Sequence, residues 1–224
     1  GIDATLFKGL NLTVEGYYQR RKDIWVSSEG QYSSVLGMDA PFENAGIVDS
    51  WGTEIGLDYT KQISDVVFNI GGNFAWNRNE IKEQMEEPRL YDNLVQTGNR
   101  LNQVYGLIAE GFFKDEADIA SSPTQNFSTV VPGDIKYKDV NGDGVVNDGD
   151  IVAIGSTSKP NLIYGLGLSA TWKGLDVSLH FQGAGKSQFF TYGKCIWAFT
   201  EGQWGNILKG TLDNRWVDAE TAQK

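Results

Sequence analysis

The feature that most constrains this chain is a strict alternation of apolar and polar residues along paired segments. In 161–172, Tyr164, Leu166, Leu168, Ala170 and Trp172 alternate with Gly165, Gly167, Ser169 and Thr171. Lys173-Gly174 follows, and then Leu175, Val177, Leu179 and Phe181 alternate with Asp176, Ser178, His180 and Gln182. A side-chain period of two puts one row on each face of a strand, and the short Lys-Gly link folds the two strands into a hairpin. Residues 1–25 read the same way, with a Lys8-Gly9 turn and with Leu10, Leu12, Val14 and Tyr18 opposing Asn11, Thr13, Glu15 and Tyr17. In 51–81, Ile55, Leu57 and Tyr59 oppose Glu54, Gly56 and Asp58. After a short turn at 61–65, Phe68, Ile70, Phe74 and Trp76 oppose Asn69, Gly71, Asn73 and Asn77.

The polar rows hold Asn, Gly, Ser, Thr, Gln and Asp but few Lys or Glu, which suits a wet, enclosed lumen better than an open solvent face. A soluble sandwich would bury the apolar rows against a second sheet. The strand pairs (1–25, 51–81, 161–190) are separated by long connections at 26–50, 82–160 and 191–224. In an up-and-down sheet all short turns then fall at one end and all long loops at the other, as periplasmic turns and extracellular loops do in outer-membrane barrels. The expected fold class is therefore all-β: part of a transmembrane antiparallel β-barrel, about six strands, with long extracellular loops. No apolar run approaches the roughly 18 residues of a membrane helix, which has no bearing on strands. A net charge of −10 without a basic run argues against nucleic acid as a partner. Cys195 is the one cysteine, so no disulfide forms within the chain. Gly1 is not a natural start, and the N-terminus is expected to have been lost or removed.

The sharpest chemical motif is DVNGDGVVNDGD at 139–150. Oxygen-bearing side chains stand at positions 1, 3 and 5, a glycine at 6, Asn at 9 and Asp at 12, the spacing of a calcium loop. Asp139, Asn141, Asp143, the Val145 carbonyl, Asn147 and Asp150 are the candidate ligands of a structural Ca²⁺. A metal-free turn and a Mg²⁺ site are the other readings of the same residues. Asp at position 12 is shorter than the bidentate Glu of sensor loops, so a modest affinity of roughly 10⁻⁴–10⁻³ M is expected. No paired helices flank the loop, so a clip is expected and a switch is not. His180, the only histidine, is expected to be a hydrogen-bonding wall residue. Asp115 and Glu116 are adjacent and do not set the separation of a glycosidase pair. No nucleophile and base are spaced for catalysis, and the chain is not expected to be an enzyme. Among the late aromatics, Phe189 and Phe190 are girdle candidates. Trp197 and Trp204 are candidates for contacting substrate or a partner, and Tyr192 and Phe199 belong to the same cluster.

Several stretches, in order, resemble the SusC/RagA-type TonB-dependent outer-membrane transporters of Bacteroidota. They are GIDATLF (1–7) with LTVEGYY (12–18), NAGIVDSWGTE (44–54), QVYGL (103–107) with GFF (111–113), and NRW (214–216). The most specific block runs from PGD (132–134) through 139–155 to PN (160–161), YG (164–165) and FQG (181–183). Ser50 stands where the family has Asn, and Val217 and Glu220 depart from its Thr and Asn. The resemblance implies a barrel of about 22 strands with a plug. It implies that this chain is a partial barrel domain lacking the plug, the TonB-contacting segment and the last strands. It further implies integral placement in the outer membrane and import of a nutrient, an oligosaccharide or a peptide. The implied partners are membrane lipid, a SusD-like surface lipoprotein over the outer loops, and TonB through the missing N-terminal part. The alternative reading is a soluble, calcium-stabilised, β-rich surface module that binds glycans. The row Tyr164 to Phe181 separates the two, since only a barrel turns it toward lipid.

Overall fold

The computed structural model describes residues 1–33, 35, 37–191, 196–197, 207–213 and 215–218. Tyr192, Cys195, Phe199, Trp204, Asn214 and Glu220, named above, lie outside the described residues. The chain divides into two compact units: 1–88 with 95–104 and 155–188, and 89–94 with 105–154 and 189–224.

The first unit is built on one six-stranded sheet. Its strands are β1 (Ile2–Phe7), β2 (Leu10–Ser27), β3 (Phe42–Ile63), β4 (Val66–Glu83), and two later strands, Leu162–Trp172 and Leu175–Gly185. Four short strands intervene in the chain: β5 (Gln103–Gly106), β6 (Ala109–Phe112), β7 (Thr124–Gln125) and β8 (Ile135–Tyr137). They are followed by β9 (Val145–Val146) and β10 (Val152–Thr157), so the two late strands are β11 and β12. The sheet order is β1-β2-β3-β4-β11-β12 and every neighbouring pair is antiparallel. Each tight link is a two-residue turn: Lys8-Gly9, Ser64-Asp65 and Lys173-Gly174. Lys173 and Gly174 both have positive φ, 46° and 88°, the mirror-image turn geometry that matches the right-handed twist of paired strands. Gly9 also has positive φ, and a Cβ there would run into the Thr60 carbonyl.

The registers put the apolar rows of all six strands on one face, with Val67, Ala75 and Ile163 as apolar residues on the other. Leu12 faces Leu57, Val14 faces Ile55, and Ile55 faces Phe74. Tyr164 faces Phe74 on one side, while Leu168 faces Ile70 and Leu179 on its two sides. The row is bounded by rings: Tyr18 beside Trp51, then Trp76 and Tyr164, at the end toward the long connections, and Tyr59, Phe68 and Trp172 at the end toward the short turns. Strand β11 has 11 residues. At about 3.3 Å per residue and a tilt near 40° it rises roughly 25 Å, the height of a barrel's lipid-facing band. Leu179 and Phe181 are 54% and 56% exposed, and among the described residues of this unit no second sheet covers the face. A contiguous apolar face of this extent marks a surface made for a non-aqueous neighbour.

Strands β2, β3 and β4 have 18, 22 and 18 residues, longer than the 9–11 needed to cross a bilayer. The surplus lies beyond the upper rings, and charge begins there. Asp49, 3% exposed, accepts from Arg20 Nε and Nη2 and from Tyr18 Oη, each at 2.7 Å. This extension corrects the expected 26–50 loop. Strand β2 runs to Ser27 and β3 starts at Phe42, with Trp25 paired to Asn44 and Ser27 to Phe42. Asn44 and Gly46 read as turn residues, but Gly46 makes room for the Val26 and Ile24 side chains of β2. A Cβ at Gly46 would sit 2.8 Å from Val26 Cγ1, beside a register shift at Arg21–Ile24. The Trp25 and Phe42 rings meet edge to face at 5.6 Å and close the ladder. Where β4 ends, Glu86 accepts from Gln96 N (2.8 Å), Thr97 N (2.9 Å) and Thr97 Oγ1 (2.8 Å). Burial would raise its pKa, but these donors prevail and hold the carboxyl at about 2.

The second unit has small ladders in place of a sheet. Strand β6 pairs with β8 antiparallel and β7 with β9 parallel. Phe113 and Val146, 1% and 0% exposed, are its core. Buried Gln125 splices the ladders, donating to the Ile135 carbonyl and accepting from Tyr137 N. Two helices belong here, α1 (Glu116–Ser121), capped by Asp115, and α2 (Lys209–Asp213). Gly133, with φ 96°, lies under the Trp216 ring, where any side chain would clash.

Candidate functional site

The inner face of the six-stranded sheet is polar and locally stripped of side chains. Gly56, Gly71, Gly72, Gly165 and Gly167 form the floor of a hollow of about 450 Å³, rimmed by Asn11, Thr13, Asp58, Asn73 and His180. The register explains the gathering: Gly56 faces Asn73, Gly71 faces Gly167, and Gly167 faces His180. Around it the polar row hydrogen-bonds to itself, Thr13 Oγ1 to Asp3 (2.7 Å) and Asn69 Nδ2 to Thr60 (2.9 Å) and Asp58. The glycine backbone is paired in the ladders, so hydrogen bonds to a solute come from the rim side chains Asn11, Thr13, Asp58, Asn73 and His180. Gly56, Gly71, Gly165 and Gly167 were legible in the sequence only as members of the polar rows, while Gly72 stands in the apolar row opposite Leu57 and Leu166; their convergence needs the register.

The 139–150 loop is a nest of side-chain-to-backbone bonds. Asp139 accepts from Gly142 N (2.6 Å) and Gly144 N (2.8 Å). Asn141 accepts from Asp143 N at 2.9 Å, and Asp143 from Val145 N at 2.8 Å. Asn147 caps the short turn Asp148–Asp150 by accepting from Gly149 N at 2.6 Å. Asp150 is fully buried and accepts three amides: Val140 N (2.8 Å), Asn141 N (3.2 Å) and Asn147 N (2.8 Å). Burial pushes the Asp150 carboxyl up, but the three amide donors outweigh it and hold the group below its usual range. Gly142 and Gly144 have φ of 76° and 86°, which lets the backbone turn inward on the carboxylates. Asn93 fastens the loop's exit by donating to the Gly149 and Ile151 carbonyls. Among the described residues, no three His, Cys, Asp or Glu side chains gather as a metal cluster. The oxygens nevertheless suit a hard cation in kind: Asp139 Oδ1, Asp139 Oδ2 and Asp143 Oδ1 each accept one amide and keep a further lone pair, whereas Asp150 Oδ1 accepts two. The Val145 carbonyl accepts from Asn147 Nδ2 at 3.3 Å.

Trp197 is 57% exposed, and Phe189 and Phe190 are 82% and 62% exposed, all in the second unit. The sheet carries rings of its own at both ends of the apolar row, Tyr18, Trp51, Trp76 and Tyr164 at one and Tyr59, Phe68 and Trp172 at the other. The Tyr18–Arg20–Asp49 cluster was missed at the sequence level; its signal was an Arg at an even position of β2, breaking the apolar row.

No protein-family model matches the chain. In sequence it is 25% identical over 235 residues to the TonB-dependent receptor P26 of Formosa agariphila, a match covering 96% of this chain and 22% of that receptor. In fold it is similar to the RagAB peptide importer in its open-open state. That match has a TM-score of 0.55 at 16% identity, and covers 80% of this chain and 19% of the other. The closed-closed state gives a TM-score of 0.54 at 17% identity over the same shares. A further structure of the RagAB peptide transporter gives 0.55 at 19% identity, covering 77% of this chain and 18% of the other. The chain thus spans about a fifth of the length of its relatives. These relatives are receptors and transporters, and the six-stranded sheet has the fold of an arc of transporter barrel wall that does not close on itself.

Proposed function

We propose that this chain, a segment of a SusC/RagA-type TonB-dependent transporter, forms an arc of outer-membrane barrel wall past which a nutrient is imported. The observation that supports this most is the single parity shared by all six strands: an apolar, ring-bounded row on one face and a glycine-floored polar hollow on the other. The apolar row faces lipid. The inner face carries amides and hydroxyls around a glycine floor, and these side chains hydrogen-bond a passing polar solute without holding it. By likeness to the peptide importer the cargo is a peptide; an oligosaccharide is the other class that such a lumen accepts. A SusD-like lipoprotein covers the outer loops, with Trp197 and Trp204 as contacts for it or for the cargo. TonB supplies the energy through a part of the protein other than this wall. A structural Ca²⁺ held by Asp139, Asn141, Asp143, the Val145 carbonyl, Asn147 and Asp150 tightens the outer loop and has no part in transport chemistry.

Uptake of labelled oligopeptides and oligosaccharides by cells carrying the intact transporter tests this reading. Uptake of one class is expected, lost on deletion of the transporter and equally lost on deletion of TonB. Uptake independent of TonB, or a protein released from membranes without detergent, contradicts it.

A further inference from the structure

The net charge of −10 makes one pocket conspicuous. At the end of β11, where β4 continues without that neighbour, a cavity of about 300 Å³ is lined by Arg78, Arg100 and Lys186, and no Asp or Glu lines it. None of these three cations has a carboxylate partner among the described residues. Other cations do meet a carboxylate: Arg20 pairs with Asp49, Lys82 with Glu80, Lys136 with Asp118 and Lys173 with Asp65; what sets this pocket apart is that three unpaired cations line one cavity.

The pocket is held by a built frame. Asn161 is 3% exposed; its Nδ2 donates to the Asn77 carbonyl at 3.1 Å, and its Oδ1 accepts from Thr157 Oγ1 at 2.8 Å and from Arg100 Nη1 at 3.5 Å. Ser156 Oγ donates to the Lys186 carbonyl, and Lys186 has a positive φ of 52°. Gln188 accepts from Ser156 N at 3.0 Å and donates its own N–H to Thr157 O at 2.9 Å. A fixed frame that gathers three like charges with no counter-charge is repulsive on its own and complementary to an anion. Three positive charges suit a dianion better than a monoanionic carboxylate, and two guanidinium forks match tetrahedral oxyanion geometry.

We propose that Arg78, Arg100 and Lys186 form a binding site for a phosphate group at the outer rim of the wall. Two sources share this chemistry, the headgroup of an outer-leaflet lipid and a free phosphate. Trp76, which lines the pocket and closes the apolar row, puts the first within reach. The lipid source rests on the barrel reading given above; the charge and frame of the pocket do not.

The test uses the intact protein and thermal unfolding near pH 7.5. One arm adds inorganic phosphate in a zwitterionic detergent. A second compares nanodiscs of phosphatidylcholine with nanodiscs that also contain phosphatidic acid. The wild type is expected to gain several degrees in Tm in at least one arm, and less at high salt. Arg100→Gln/Lys186→Gln is expected to be as stable as wild type, or slightly more so, without phosphate, and to lose the gain with it. Arg78→Gln gives a second, milder variant if the double one fails to fold. A gain with phosphatidic acid alone assigns the site to a lipid headgroup, and a gain with inorganic phosphate as well opens it to free oxyanions. No gain in either arm, or a gain undiminished in the variants, overturns the proposal. Failure to enter nanodiscs would count against the barrel reading, and the detergent arm would still decide the pocket.

Discussion

Leu168→Arg is expected to block assembly of the wall into the outer membrane, whereas Ser169→Arg leaves assembly close to wild type. The two residues are neighbours on β11 and differ only in the face they occupy. Leu168 stands between Ile70 and Leu179, midway along the apolar row; Ser169 stands between Asn69 and Ser178 on the polar face. An arginine on the lipid face at the bilayer midplane costs about 2–4 kcal/mol, while the same residue on a wet lumen face costs little. Natural stability margins are of order 5–15 kcal/mol, so that cost removes a large share of a small margin and lowers the yield of inserted protein. The measurement is the fraction of heat-modifiable, protease-resistant protein recovered in outer membranes. Equal losses for the two variants would mean that the two faces meet the same environment, as in the soluble reading.

Asp150→Ala is expected to melt the 139–150 loop. The side chain is fully buried and accepts from Val140, Asn141 and Asn147. Removing it strands three backbone donors, each worth about 1–3 kcal/mol when left unsatisfied in the interior. Hydrogen exchange should show those amides losing protection while the β2–β4 amides keep theirs. Asp143→Ala removes a solvent-facing acceptor of Val145 N and Asn141 Nδ2 and should cost less, about 1 kcal/mol. Calcium resolves the two readings of this loop. If it binds, millimolar Ca²⁺ slows exchange further in the wild type and not in Asp143→Ala. If exchange in the wild type ignores Ca²⁺, the loop is a clip made only of its own turns.

How much of this was legible depended on the length of the pattern. The period-two rows of β2, β3, β4, β11 and β12 were readable because nearly every alternate position carries the signal, and the order of short turns and long connections gave the up-and-down sheet. The second half of the expected 26–50 loop failed because Asn44 and Gly46 carry turn chemistry while serving a bulged strand, and a bulge resets parity. Strands β6 to β9 are two to four residues long, too short for any periodicity to show. The ligand-like order of the 139–150 loop was plain in the sequence. That its oxygens turn inward on Gly142, Gly144 and Val145 amides was not, since Asx turns and cation ligands use the same residues. The phosphate pocket was invisible for a different reason: Arg78, Arg100, Ser156 and Lys186 are far apart in the chain, and only the junction of β4 with the start of β11 brings them together.

The most direct test of the central claim is the environment of the two rows in a folded membrane sample. In the intact protein with Cys195 replaced by Ser, single spin-labelled cysteines at Leu168, Leu179, Ser169 and Ser178 report collision rates with oxygen and with a water-soluble nickel chelate. High oxygen and low nickel accessibility is expected at Leu168 and Leu179, and the reverse at Ser169 and Ser178. Nickel accessibility that is equally high on both rows would contradict the central claim.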